Sequence, residues 1–381
     1  MKITKLMLSA AVAALALVSC NKQDTTPTTP SRLKTVEIAI DNAVITKGLA
    51  GDKISQGQAV HVNDFKVFLT DATGKIEFEA KVADGSQAAK SYWDTEDLKQ
   101  GALSAEFHYV DPNCTKVIAI ANVGKDITFE QFLALEAFKV ENQQDQKTLV
   151  LYDERTLQAA GSQHNDLHED GTTYVTDVYK ADLVLTPRVS RFEVDGFTVK
   201  FDSANPKYQE IKISQLAFQN YYPLTSATTG VESGELVNHI ADLTNQASVY
   251  SWLDDPAKPE AWYRDYFDIT ITPAAPTADT PNELAYHMFS CNETPVFVIK
   301  LLADGQPAYL YSKGFYKTEG GSAVEVTEFE EGKIYRMSAA GEVLGDGSIP
   351  IDEDDIDPMD RCLEITVDVI DWAVELVFPE F

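Results

Sequence analysis

Cysteine is scarce in this chain: Cys20, Cys114, Cys291 and Cys362 are the only 4 among 381 residues, and no two are closely spaced. A disulfide framework needs a dense, even set, and a structural zinc site needs cysteines a few positions apart. Neither is available here. The three cysteines beyond Cys20 read as buried free thiols, with one bridge among Cys114, Cys291 and Cys362 left open. Basic residues are also few, 31 Lys and Arg against 60 Asp and Glu, for a net charge of −29. So acidic a surface repels phosphate backbones, and nucleic acid is not expected as a partner. There is no Gly-x-Ser-x-Gly, no phosphate-cradling glycine loop and no local Cys/His pattern. Paired carboxylates abound in such a chain and diagnose nothing. The expectation is a protein that is not an enzyme and needs no cofactor.

Metal-binding patterns are equally thin. His164 and His168 stand four apart in Gln163–Asp170 (QHNDLHED), beside Asp166 and Glu169. Ligands need a helix or a paired strand to aim them, and this segment reads as a solvated polar loop, so no metal is expected. The Asp352–Asp355 cluster lacks the sharp-turn glycine and distal glutamate of a calcium loop and reads as a charged tether.

Long apolar runs are missing except near the start. Lys2 and Lys5 precede an apolar stretch, Leu6 to Val18, too short to span a bilayer comfortably and laid out as a secretory signal. Leu17-Val18-Ser19-Cys20 resembles the lipobox of bacterial lipoproteins, which implies lipidation of Cys20 and membrane contact only through that lipid anchor. Residues 1–20 are then a lipoprotein signal peptide. Residues 21–33, rich in Thr and Pro, are a flexible tether that cannot pack a core.

What remains is mostly strand and turn. Val36, Ile38 and Ile40 share one face of Thr35 to Ile40. Val60 to Leu69, Lys75 to Val82, Lys116 to Val123, Ala181 to Phe192, Lys200 to Phe201, Ile211 to Gln219 and Lys333 to Met337 read as further strands. Pro295 to Leu302 and Pro307 to Tyr311 flank Ala303-Asp304-Gly305-Gln306, a hairpin signal. Thr128 to Phe138 is the clearest helix candidate, and residues 125–170 otherwise read as helix and long loop. The expected fold is mainly β: two tandem β-sandwich domains of transthyretin-like, Greek-key type, over residues 34–184 and 185–344, with a few short helices. An acidic linker, 345–361, leads to a C-terminal strand segment, 362–381.

That terminal segment is the most distinctive feature. Leu363, Ile365, Val367 and Val369 lie on one face at period two. The phase then flips, and Ile370, Trp372, Val374, Leu376 and Phe378 continue on the other parity. A bulge or bend there would let two short strands fill two stretches of an apolar groove, with Trp372 as a pocket anchor. Tyr221, Tyr222, Trp252, Trp262, Tyr263 and Tyr266 suit either core and loop packing or a sugar-stacking surface. A second reading therefore stays open, a monomeric surface lipoprotein that binds a glycan or a host protein.

The lipobox leader, Thr/Pro tether, two β-rich halves, Ile334-Tyr335-Arg336, acidic linker and closing strand with Trp372 occur in that order. Together they resemble the fimbrillins of Bacteroidales, especially the shaft subunits of type V pili. The resemblance implies an exported lipoprotein of the outer membrane and cell surface that assembles into a fimbrium supporting adhesion. Its implied partners are other fimbrillin subunits in a homopolymer, accessory tip and anchor proteins, a maturation protease, and host or bacterial surface ligands. It also implies that a trypsin-like protease removes the first strand and that a neighbour's C-terminal strand fills the opened groove. Carried over, the removable strand is Thr35 to Ile40, extended to Ile45, and the cut follows Lys47, before Gly48. Lysine stands here where the best-known maturases prefer arginine, and a cut at Arg32 would leave the strand in place. The uncut chain should hold Val36 to Ile40 in its N-terminal sheet. The tail should then have no free groove within its own chain, and should be extended, loosely packed, or folded back on the C-terminal domain.

Overall fold

The structure, a computed structural model, describes residues 33–40, 44–46, 59–73, 104–124, 138–145, 148–167, 171–222, 224–225, 232–233, 264–280, 284–290, 295–337, 343–345, 349, 362–372 and 375–377. Among these residues every regular element is a strand except one 3-10 turn, Val140–Gln143. The mainly β expectation is met. The helix expected at Thr128 to Phe138 lies outside the described residues apart from Phe138, which opens a strand.

Two four-stranded sheets form the first half. One has the order β5 (Ser104–Val110), β1 (Lys34–Ile40), β10 (Thr173–Leu183) and β9 (Gln158–Leu167). The other runs β11 (Thr186–Pro187), β8 (Leu151–Thr156), β6 (Lys116–Ala121) and β4 (Phe65–Thr70). Both sheets feed one core, to which β1 contributes Val36 and Ile38 and the other sheet contributes Val117, Ala119 and Leu151. The expected single run Val60 to Leu69 breaks at Asn63 and Asp64. There the Asp64 carboxylate accepts backbone N–H groups of Val123 and Gly124 at 2.9 and 3.0 Å, which makes a corner rather than a ladder.

The loop expected over residues 125–170 is corrected in its second part, since β8 and β9 lie there. β9 is a polar edge strand held by backbone pairing with β10, and its exposed side chains carry no apolar alternation to announce it. Sheet membership changes between Pro187 and Ser190, shortly after the boundary expected at 184/185.

The second half is also layered. One layer is β19 (Ala285–Met288), β12 (Ser190–Val194), β23 (Lys333–Met337) and β26 (Asp368–Asp371), continued by β18 (Thr277–Asp279), β13 (Gly196–Lys200) and β24 (Val343–Gly345). The other is β17 (Arg264–Ile271), β14 (Ile211–Gln219), β20 (Val296–Ala303), β21 (Gln306–Glu319) and β22 (Ser322–Val326), with β25 (Cys362–Thr366) beside β21. Phe192 from the first layer stacks edge-on to Phe218 and Phe315 of the second at 5.1 and 5.4 Å between ring centroids.

The halves are joined by more than the chain. β7 (Phe138–Lys139) pairs with β15 (Leu224–Thr225), which pairs with β16 (Glu232–Ser233), so a small sheet spans both. Nearby, the Gln144 amide donates to the His287 carbonyl at 2.7 Å and accepts the His287 N–H at 3.0 Å, imitating a strand rung. Lastly, β27 (Glu375–Val377) lies between β2 (Val44–Thr46) and β3 (Ala59–His61), parallel to both.

Candidate functional site

β1 is the first part of the site. It sits inside its sheet, parallel to β10 from Lys34 opposite Asp177 to Ile40 opposite Leu183, and antiparallel to β5. Val36, Ile38 and Ile40 point into the core, as their alternation predicts. Thr35 is buried too, its hydroxyl 2.6 Å from that of Thr176. Lys34 donates from Nζ to the Cys114 carbonyl at 2.5 Å and lies over the Tyr179 ring. Its ammonium is held below the usual lysine range, chiefly by burial. Removing this strand would open a central slot, not trim an edge. The slot would expose three apolar side chain sites, each worth about 1.5–3 kcal/mol when filled.

The tail is the second part. β25 runs parallel to β21, Cys362 opposite Tyr311 and Ile365 opposite Phe315, with a register shift between Ser312 and Gly314. At Val367 the tail leaves that layer. Its N–H bonds the Tyr316 carbonyl at 2.7 Å, and the next strand, β26, pairs antiparallel with β23 in the opposite layer. Lys333 and Asp371 close this pairing with an ion pair. The tail thus crosses from one layer of the sandwich to the other. Ile365 and Val367 are buried, Val369 is partly buried against the same core, and Trp372 is buried on the opposite parity. The phase flip between Val369 and Trp372 is present, but the bend falls earlier, at Val367, where the tail changes partner. Of the three tail states expected, folding back on the C-terminal half is seen for Cys362 to Trp372. The expectation that the tail finds no groove within its own chain is corrected, because Glu375–Val377 lies between β2 and β3 of the first half and pairs with both.

Trp372 closes this segment. Its N–H donates to the Gly332 carbonyl at 2.8 Å. Gly332 has φ +71°, and a Cβ there would meet the Thr186 side chain at 3.3 Å, so glycine suits both the backbone and the space. The residue is 3% exposed, and among the described residues its Nε1 has no hydrogen-bond partner. The ring lies 5.4 Å from that of His287. His287 in turn donates from Nδ1 to the Gln143 carbonyl at 2.6 Å and accepts at Nε2 from Arg191 at 3.0 Å, which sets its neutral tautomer. Arg191 and Arg336 each place Nε 2.7 Å from a Glu193 carboxylate oxygen. A buried polar chain therefore stands behind the tryptophan, at the junction of the two halves. Sequence reasoning marked Arg336 but not His287 or Arg191, which carry no local motif.

Leu363 and Ile370 lie in β25 and β26 and Leu376 in β27, with backbone pairing described for each. Cys20, Lys47, Gly48, Val374 and Phe378 lie outside the described residues, as do Arg32, His168, Trp252, Trp262 and Tyr263. The aromatic cluster is dispersed: Tyr221 is in the core, while Tyr266 on β17 is exposed. Cys114 is buried, as expected, and is not part of a disulfide.

No known family model matches the sequence, and no curated protein matches it. Solved structures with a similar arrangement include fimbrial proteins. The fimbrilin FimA of Porphyromonas gingivalis is 12% identical, with 92% of this chain and 99% of that one covered and a TM-score of 0.48. The tip fimbrial protein Mfa3 of the same organism, with a C-terminal truncation, is 9% identical over 90% of this chain and 99% of that one, with a TM-score of 0.38. A fimbrial assembly protein from Parabacteroides distasonis is 9% identical over 80% of this chain and 90% of that one, with a TM-score of 0.32.

Proposed function

We propose that this chain is a structural subunit of cell-surface fimbriae, exported as a lipoprotein through Cys20 and polymerised by strand exchange after a cut at Lys47. The observation that carries this reading is the pairing of two complementary elements. β1 fills an interior slot with residues alternating at Val36, Ile38 and Ile40, and the tail repeats that spacing at Ile365, Val367 and Val369. Side chains at period two that fit one slot can fit another of the same register, so a tail can replace β1 without a new fold. While β1 stays in place, the slot is filled and its edges are covered, which keeps the precursor from pairing prematurely. β27 adds a constraint. It lies between β2, just before Lys47, and β3, so release of the tail and opening of the N-terminal slot involve neighbouring strands.

Replacing Lys47 by Gln is the direct test. It should leave the precursor monomeric by size-exclusion chromatography, with no fibres by electron microscopy and an intact N-terminal strand by mass spectrometry. Fibres of normal length from that variant, still carrying residues 34–40, would sink the exchange reading. Replacing Cys20 by Ala should move the precursor from the detergent phase to the aqueous phase in phase separation. Retention in the detergent phase would argue against lipidation there.

A further inference from the structure

β5 carries a defect where it passes the start of β1. Lys34 pairs with Val110 and Val36 with Phe107, so His108 and Tyr109 together face the single residue Thr35. That is a bulge, a device that re-aims side chains, and Tyr109 takes φ 56°, a costly conformation for an aromatic residue. A second irregularity interrupts the β9–β10 hairpin, where Asp177 faces Gln163 but Tyr179 faces Ala159. Beyond it lies His164, opposite Thr176. β5 and β9 are separated by two strands, so in a flat sheet they would stand about 14 Å apart. Yet the His108 and His164 rings are 5.4 Å apart, and Tyr109 meets Tyr174 edge-on at 6.2 Å. The two irregularities coincide with the outer hairpin curling toward β5. Glu106, two positions before His108, places Oε1 3.7 Å from the His108 Nε2. One ligand atom from each of Glu106, His108 and His164 lies within 4.8 Å of the others.

We propose that Glu106, His108 and His164 form a divalent transition-metal site, with zinc as its occupant. Two imidazoles and one carboxylate, with room for water in a fourth position, suit zinc and disfavour calcium or magnesium, which take oxygen ligands. Ligand atoms around zinc at about 2.0–2.2 Å sit roughly 3.3–3.6 Å apart. Small rotations of the exposed Glu106 and His164 side chains toward the half-buried His108 close the difference. The bound ion ties β5 to the β9–β10 hairpin across the start of β1 and takes no ligand from β1. It therefore braces the two sides of the sheet in the uncut chain, where β1 holds the bulge in β5, and the site does not depend on the strand-exchange reading. Sequence reasoning paired His164 with its near neighbour His168, whereas the fold brings it to His108.

Zinc titration of the full chain by isothermal calorimetry tests this. One saturable site is expected, weakened at least tenfold in His108→Ala and in His164→Ala, several-fold in Glu106→Gln, and unchanged in His168→Ala. Added zinc should raise the thermal midpoint of the parent and not that of the double histidine variant. Circular dichroism without zinc checks that each variant is folded. Binding unaffected by loss of both His108 and His164, binding lost in His168→Ala, or no saturable binding would each overturn the site.

Discussion

Trp372→Ala should lower the stability of the folded chain by about 3 to 5 kcal/mol, the range for truncating a buried aromatic residue. The indole packs beside the His287 ring, while the Trp372 backbone N–H is tied to the Gly332 carbonyl and the preceding strand β26 is held by pairing with β23. One term acts the other way. Its Nε1 is buried without a partner, so the native state already bears a desolvation cost of about 1–3 kcal/mol that alanine would relieve. Phenylalanine separates the two effects, because it keeps most of the apolar area and drops the N–H. Trp372→Phe should therefore lie within about 1 kcal/mol of the parent. The measurement is the denaturation midpoint in urea at constant slope. An alanine variant as stable as the parent would show that the ring is not packed in its own chain.

Acidification should act at the same junction. In an unfolded chain the imidazole of His287 takes up a proton near pH 6.5. In the folded chain burial, and secondarily the Arg191 guanidinium, push that pKa down to about 3. Between these values the unfolded state binds the extra proton, so stability falls as pH drops, by about 1.4 kcal/mol per unit for this one group. Above pH 6.5 its contribution is fully present and constant. Arg191 faces the ring directly, Glu193 and Arg336 follow behind Arg191, and carboxylates elsewhere add their own slope below pH 5. The informative quantity is thus the difference between parent and His287→Gln, measured by urea denaturation from pH 7 to 4. The parent should be steeper by about one proton. Equal slopes would mean that the ring is not held neutral in the folded chain.

Residues with strong periodicity were legible. The strands expected at Ile211 to Gln219 and Lys333 to Met337 occur with those bounds. The hairpin at Asp304-Gly305 has φ +47° and +83°, the two positive values that a type I′ turn demands. β1 was legible from three alternating apolar residues, although its parallel pairing with distant β10 was not, because pattern records a face and not a partner. β9 escaped for the opposite reason. Its backbone bonds hold it while its side chains stay in water, so Gly161 to Asn165 resembles a loop. In the tail, parity identified the buried residues, but the crossing at Val367 depends on which layer each strand meets. His108 and His164 could not be connected from sequence at all, since the bulge that joins them is a property of the paired sheet.

The parallel register of β1 with β10 also has a mechanical side. The chain enters β1 at Lys34, from the end that leads back towards residue 20, while β10 leaves its sheet at Leu183 towards the second half. A pull between those two points runs along the strands, so the rungs from Lys34–Asp177 to Ile40–Leu183 bear the load together instead of opening one by one. Sheared hydrogen bonds fail only as a group. An uncut chain held at its start and pulled from its second half would therefore resist most strongly at this strand.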